Sequence, residues 1–209
     1  MTRKSVLSLK RRQFLAISLA LGLSACDKNA VNFNSIDITG ADYCRDFKLS
    51  DSDGKIRQLA DFKGRYVLVF FGFTQCPDIC PTALARAAEV KQKLGKDGDQ
   101  LQVIFISIDP ARDTADLMRA YTQNFEASFL GLRGSDEQTK QVADEFKVFY
   151  AKVATGSSYT MDHSTLSYLF DTTGKIRLAM RHEHNADQFA ADIRQLMKQA
   201  SRVLYFFVL

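Results

Sequence analysis

Two stretches of the chain are apolar almost without a break, residues 65–73 (RYVLVFFGF) and 101–109 (LQVIFISID). Runs of that length without polar alternation suit strands buried on both faces, at the centre of a sheet covered by helices. Between them, 83–95 (ALARAAEVKQKLG) carries apolar residues at helical spacing and ends at Gly95, a natural stop. The same spacing predicts a helix over 113–125 capped by Asp113, and another over 135–146 capped by Ser135. The second would turn Val142, Ala143 and Phe146 inward, and a last helix closes the pattern over 186–199. Strands are expected at 148–154, 166–171 and 176–181, the last two joined by DTTGK as a hairpin. Ahead of the first long run, 47–59 (FKLSDSDGKIRQL) reads as two short strands about an Asp-Gly turn. The DSDG of that turn is not a calcium loop. With Gly54 in the sixth place, Leu49 and Ala60 fall where carboxylates are required.

Strand–helix–strand, then helix, hairpin and closing helix predict an α/β fold: a single thioredoxin-like domain over 41–200. Its central mixed sheet is flanked by helices, with an N-terminal β-hairpin. That fold places a cysteine motif at the start of the helix after the first central strand, where backbone N–H groups and the helix dipole favour thiolate. Cys76 and Cys80 stand there. Four residues apart in a helical turn, they would share a face. Such a pair can be a disulfide, a redox couple or half of a metal site, and a bridge closing so short a loop adds little stability. As thiolates they are soft ligands that select Cu(I) or Zn(II), and a third ligand would then come from elsewhere. The chain has only three histidines. His163 sits just before an apolar strand, in a loop expected to face the cysteines. Asp162 beside it either acts behind the metal ligands or is solvated. His182 and His184 (RHEHN) would share a face if their strand continues and could hold an adventitious metal; at a charged strand end they are expected to be solvated.

Charge changes the picture at one end only. The formal +4 comes from 28 basic and 24 acidic residues, and Arg3, Lys4, Lys10, Arg11 and Arg12 lie within 1–25, which has no acid. Without that segment 23 basic groups face 24 acidic ones, so the charge does not support a strongly basic nucleic-acid surface. Residues 1–25 read as an export signal: a basic start, then an apolar run from Phe14 to Ala25, short of the ~20 residues a membrane-spanning helix needs. LSAC (23–26) resembles a lipoprotein signal and KRRQFL (10–15) a twin-arginine signal. They imply cleavage before Cys26, lipidation of its thiol, and a bacterial domain at the periplasmic face of the inner membrane. Residues 26–40 would be the lipidated cysteine and a flexible tether. Cys44 is expected to be a buried inert thiol, though an extra thiol invites mispairing with Cys76 or Cys80. The apolar tail 201–209 (SRVLYFFVL) is too short to span a membrane and fits none of these readings.

GFTQCPDICPTAL (72–84), SIDPARDT (107–114) and MDHSTLSYLFDTTGK (161–175) together resemble the signatures of the Sco/SenC family, in order and spacing, across about residues 38–200. The resemblance implies a thioredoxin-like fold binding one copper, as Cu(I) or Cu(II), through Cys76, Cys80 and His163. It implies assembly of the dinuclear copper site of a haem-copper cytochrome c oxidase. Partners would be the copper-site subunit of that oxidase, other periplasmic copper carriers and thioredoxin-like reductases. The oxidised form would pair Cys76 with Cys80. A thiol–disulfide reductase acting on the oxidase cysteines is the alternative, as is a copper or redox sensor. Thioredoxin-like redox enzymes keep a proline ahead of the strand facing the cysteines; Pro77, Pro81 and Pro110 all lie far from 163, which favours metal binding. Asp109, Arg112 and Asp113 read as a turn and helix cap or as a docking element, and Asp78 as an exposed loop acid or a modulator of copper.

Overall fold

The computed structural model describes residues 32–207, with side chains as far as 201. The export signal, Cys26 and residues 27–31 lie outside the described residues. Strand β1 (Ile36–Asp37) pairs antiparallel with a later strand through Ile36↔Ala179 and Asp37↔Leu178. Just before it, the backbone N–H of Asn34 and of Ser35 donate to the buried carboxylate of Asp192 at 2.8 and 2.9 Å. Residues 33–40, expected to belong to the tether, are therefore folded onto the domain. Edge-strand backbone bonds and a buried carboxylate outweigh a polar composition.

Strands β2 (Leu49–Ser50) and β3 (Ile56–Arg57) form the expected small hairpin. Its turn is built by Asp51, whose carboxylate accepts the N–H groups of Asp53 and Lys55. β4 (Tyr66–Gly72) and β5 (Leu101–Ser107) are buried at every residue and pair in parallel. Parallel pairing requires a crossover, supplied by helix α1 (Ile79–Leu94). Its inward residues Cys80, Ala83, Leu84, Ala87, Val90 and Leu94 repeat at three- and four-residue steps, and Gly95 ends it at φ 62°.

Helix α2 (Ala115–Gln123) is capped by Thr114, whose hydroxyl accepts the Leu117 N–H. The sequence favoured Asp113 as cap; its carboxylate is turned inward instead. β6 (Leu130–Leu132) extends the sheet beside β5. Helix α3 (Asp136–Glu145) begins with the expected Ser135 cap, a reciprocal box with Gln138.

After α3 the structure adds an element. β7 (Tyr150–Thr155) and β8 (Ser158–His163) form an antiparallel hairpin that is a sheet of its own. The sequence predicted the first strand and placed 158–163 in a loop. β8 (SYTMDH) has only Met161 buried, so it shows little apolar alternation to read. β9 (Ser167–Phe170), β10 (Ile176–Met180) and helix α4 (Ala186–Phe207) complete the chain, the helix continuing into the stretch 201–207. The main sheet runs β1-β10-β9-β4-β5-β6, mixed, with the three β4–β5–β6 strands parallel. Four helices among the described residues flank it, and the fold is thioredoxin-like as the element order predicted. No helix among the described residues is long and apolar enough to cross a membrane.

Candidate metal centre

β4 delivers the cysteine loop to one end of the sheet, and α1 starts there. Cys76 lies in the loop before the helix and is half-buried; Cys80 is in the first turn and fully buried. The pair thus shares a site without sharing a helix face, because the loop folds back so that the Cys80 N–H points at the Cys76 sulfur, 3.5 Å away. Asp78 stands at the N-cap with its side chain exposed and making no capping bond.

Opposite them is His163, the last residue of β8. Its Nε2 is 3.9 Å from Cys80 Sγ, and the three ligand atoms of Cys76, Cys80 and His163 all lie within 4.8 Å of one another. This is the only such group of three among the described residues. The Nδ1 of His163 is 2.8 Å from the Ser164 carbonyl oxygen. A carbonyl can only accept, so Nδ1 carries the proton and the Nε2 lone pair is free toward the sulfurs. The imidazole is also flanked edge-on by Phe70 and Phe73, with centroids 6.2 and 6.1 Å away. Asp162, the other candidate for orienting it, is exposed and one residue along the strand, hence on the opposite face.

The two thiols are free and electrostatically unequal. Cys76 is held down to about 3, chiefly by the hydrogen bond from the Cys80 thiol. Burial opposes this, while the backbone N–H groups of Asp78 and Cys80 add to it. Cys80 is pushed up by that same bond, by burial and by the Cys76 charge. The pair shares a proton that resides on the buried sulfur, leaving the accessible one as thiolate. A soft cation binding both sulfurs displaces that proton.

Behind the cysteine loop sit two buried carboxylates. Asp113 accepts from the Thr74 hydroxyl at 2.6 Å, the Thr74 N–H at 3.2 Å and the Ser107 hydroxyl at 2.6 Å. Asp109 pairs with Arg112 and accepts from the Tyr159 hydroxyl at 2.8 Å. Neither is a simple turn residue or helix cap, as the sequence had suggested. The close approach of β4 to α1 requires Gly72, where a β-carbon would lie 2.6 Å from Cys80 Sγ. Sequence reasoning missed Gly72, Ser164 and Tyr159; only the polar Ser107 closing an apolar strand hinted at a constructed strand end.

The remaining candidates fall elsewhere. β10 stops at Met180, so His182 and His184 do not extend a strand, and neither is fully solvated. His182 accepts Arg86 Nη1 on its carbonyl at 2.5 Å, and its Nδ1 is 3.3 Å from Arg86 Nη2. His182 is held below the usual histidine range by burial and by the Arg86 charge. Cys44 is buried as expected, its thiol pushed up to about 12 by burial and by Glu145.

A thioredoxin-like sheet whose helix-entry cysteines meet an imidazole from a separate hairpin defines a metal-site version of that fold. The SCO1/SenC family profile matches residues 37–198, and the chain belongs to that family. It is 44% identical over 133 residues to an SCO2-like protein of Rickettsia felis, covering 62% of this chain and 65% of that relative. The chain thus spans a little under two thirds of that relative's length. ScoI of Bradyrhizobium japonicum with copper bound is similar at TM-score 0.66 and 38% identity, over 72% of this chain and 97% of that one. The apo Sco1 protein of Thermus thermophilus is similar at TM-score 0.69 and 34% identity, over 79% and 97%.

Proposed function

We propose that this protein binds one copper ion through Cys76, Cys80 and His163 and delivers it to the dinuclear copper site of a haem-copper cytochrome c oxidase. The observation that carries the reading is the convergence of two sulfurs and an imidazole nitrogen within 4.8 Å, with the nitrogen's lone pair facing them. Two thiolates and one imidazole suit Cu(I), and the fit is supported by copper in solved relatives. Copper here is cargo. Half-buried Cys76 is the ligand a partner can reach, so transfer proceeds by ligand exchange from the Cys76 side. Buried Cys80 and half-buried His163 hold the ion until the partner's ligands replace them. The oxidase copper-site subunit is the recipient, other periplasmic copper carriers are upstream, and thioredoxin-like reductases keep the pair reduced. The export signal and a lipid on Cys26 would hold the domain at the periplasmic face of the inner membrane.

One observation favours a second reading, a thiol–disulfide reductase acting on the oxidase cysteines: Cys76 is thiolate beside a protonated partner thiol. The two part at His163, which a carrier needs as ligand and a reductase does not. The test is oxidase copper-site assembly at limiting copper in cells carrying wild type, His163→Ala or Cys76→Ala. Failure of both variants supports delivery; normal assembly with His163→Ala and failure with Cys76→Ala supports the reductase.

A further inference from the structure

The histidine and the cysteines reach the site on separate supports. Cys76 lies in the β4–α1 loop and Cys80 in the first turn of α1, whereas His163 ends a hairpin whose strands pair only with each other. β9 pairs with β4 at Phe70↔Ser167 and anchors the chain four residues beyond His163, but no sheet hydrogen bond joins the hairpin itself to the cysteine loop. Arg112 lies between these supports. Its Nε pairs with Asp109, and its Nη1 donates to Gln75 Oε1 at 3.0 Å and to the Tyr159 carbonyl at 2.8 Å. Gln75 adjoins Cys76, and Tyr159 lies in β8, on the strand that ends at His163. The guanidinium also stacks over the Tyr159 ring at 3.7 Å, and the Tyr159 hydroxyl returns to Asp109 at 2.8 Å. The Arg112 side chain is 17% exposed and Asp109 1% exposed, so the ion pair is little screened by water.

We propose that Arg112, held by Asp109 and Tyr159, is a positioning residue that clamps the β7–β8 hairpin to the cysteine loop and so sets His163 at ligating distance. The inference rests on reading Cys76, Cys80 and His163 as the copper site. A planar guanidinium suits the task. It supplies hydrogen bonds in three directions while its flat face packs on an aromatic ring, which an ammonium cannot do. Arg112 touches no ligand atom and acts through the hairpin.

The test uses the reduced folded protein with Arg112→Gln, Arg112→Lys, Tyr159→Phe and the double variant Asp109→Asn/Arg112→Gln. The double variant leaves no buried unpaired carboxylate and guards against simple misfolding. Amide hydrogen exchange on the apo protein should quicken over 150–163 in the clamp variants while the β4 and β5 amides stay protected. Cu(I) affinity, read by chelator competition, should fall about 10- to 100-fold, the usual effect of losing a group that orients a ligand. Arg112→Lys should recover only part of it. The deciding comparison is a cycle with His163→Ala: in that background Arg112→Gln should have no further effect on affinity. Equal losses in both backgrounds, or unchanged exchange over 150–163, overturn the clamp. If the wild type takes up no Cu(I), the copper reading falls instead, and the apo exchange data alone uphold or overturn the clamp.

Discussion

Gly72→Ala is the sharpest perturbation the structure offers, because general expectation and local geometry predict opposite signs. In a strand interior, alanine is ordinarily better than glycine by ~0.5–1 kcal/mol, since glycine loses more freedom on folding. At Gly72, however, a β-carbon would sit 2.6 Å from Cys80 Sγ and 2.7 Å from Phe105 Cε2. Comfortable carbon contacts begin near ~3.5 Å, so about 1 Å must be found on both sides. Neither neighbour can retreat into solvent. Cys80 and Phe105 are fully buried, and the Phe105 ring is stacked on Phe70 at 6.1 Å and packed against Tyr121 at 5.6 Å. Overpacking of this kind costs about 1–3 kcal/mol, and with two buried obstructions the upper half of that range applies, so the variant should lose roughly 1–2.5 kcal/mol net. At this chain length that lowers Tm by roughly 2–4 °C per kcal/mol. The metal site should suffer more than the fold, because displacing Cys80 Sγ by about 1 Å far exceeds the ~0.2 Å latitude of metal–ligand distances. Urea unfolding of the apo protein and Cu(I) competition measure the two effects separately. Phe105→Leu removes one obstruction, so the double variant Gly72→Ala/Phe105→Leu should lose less than the sum of the single losses. A Gly72→Ala protein as stable as wild type, with unchanged Cu(I) affinity, refutes the close-approach argument.

His163→Ala should leave urea unfolding almost unchanged, since the ring is only half-buried, yet weaken Cu(I) binding by more than ~100-fold, beyond the loss of a merely orienting group. Cys76 alkylation by iodoacetamide should be nearly independent of pH between 5 and 8, where a thiol of ordinary pKa gains almost three decades of thiolate; a steep rise over that range would mean the thiolate is not stabilised. Burial holds Asp113 above the usual carboxylate range, and Asp113→Asn keeps one acceptor oxygen for the Thr74 and Ser107 donors, so it should cost less than Asp113→Ala. Asp113→Ala, stranding the Thr74 and Ser107 donors, should cost about 1–3 kcal/mol by denaturant melting, and equal stability of the two variants would mean those hydrogen bonds do not hold the cysteine loop. Cys44 has a folded pKa of about 12, above its unfolded value, so its contribution is whole below pH ~8.5 and is lost as pH rises toward 12. Unfolding at pH 8 and pH 10.5 in wild type and Cys44→Ala should show the smaller alkaline loss in the variant.

The patterning of apolar residues determined most of the architecture. β4 and β5 were legible because strands covered on both faces need no alternation, and α1 because one face must repeat at helical steps. Ser135 as a cap, the β2–β3 turn and the β9–β10 hairpin followed from local chemistry acting over a few residues. The candidate ligand residues were legible by type, spacing and family resemblance. Tertiary structure alone decided what holds them. β8 carries too little apolar alternation to announce itself, since it is stabilised by pairing with β7 and by Tyr159 and Met161 packing inward. Asp113 looked like a cap because its sequence neighbours allow one. The hydroxyls of Thr74 and buried Ser107 converge on it, so its carboxyl ties the cysteine loop to the end of β5 instead of capping α2. The proton on His163 Nδ1 depends on a backbone carbonyl's direction, the unequal thiols on burial and the fold of their loop, and the Arg112 bonds to Gln75 and Tyr159 join groups 37 and 47 positions apart. Sequence spacing carries no information about such contacts until the sheet has brought the β4–α1 loop and the hairpin together.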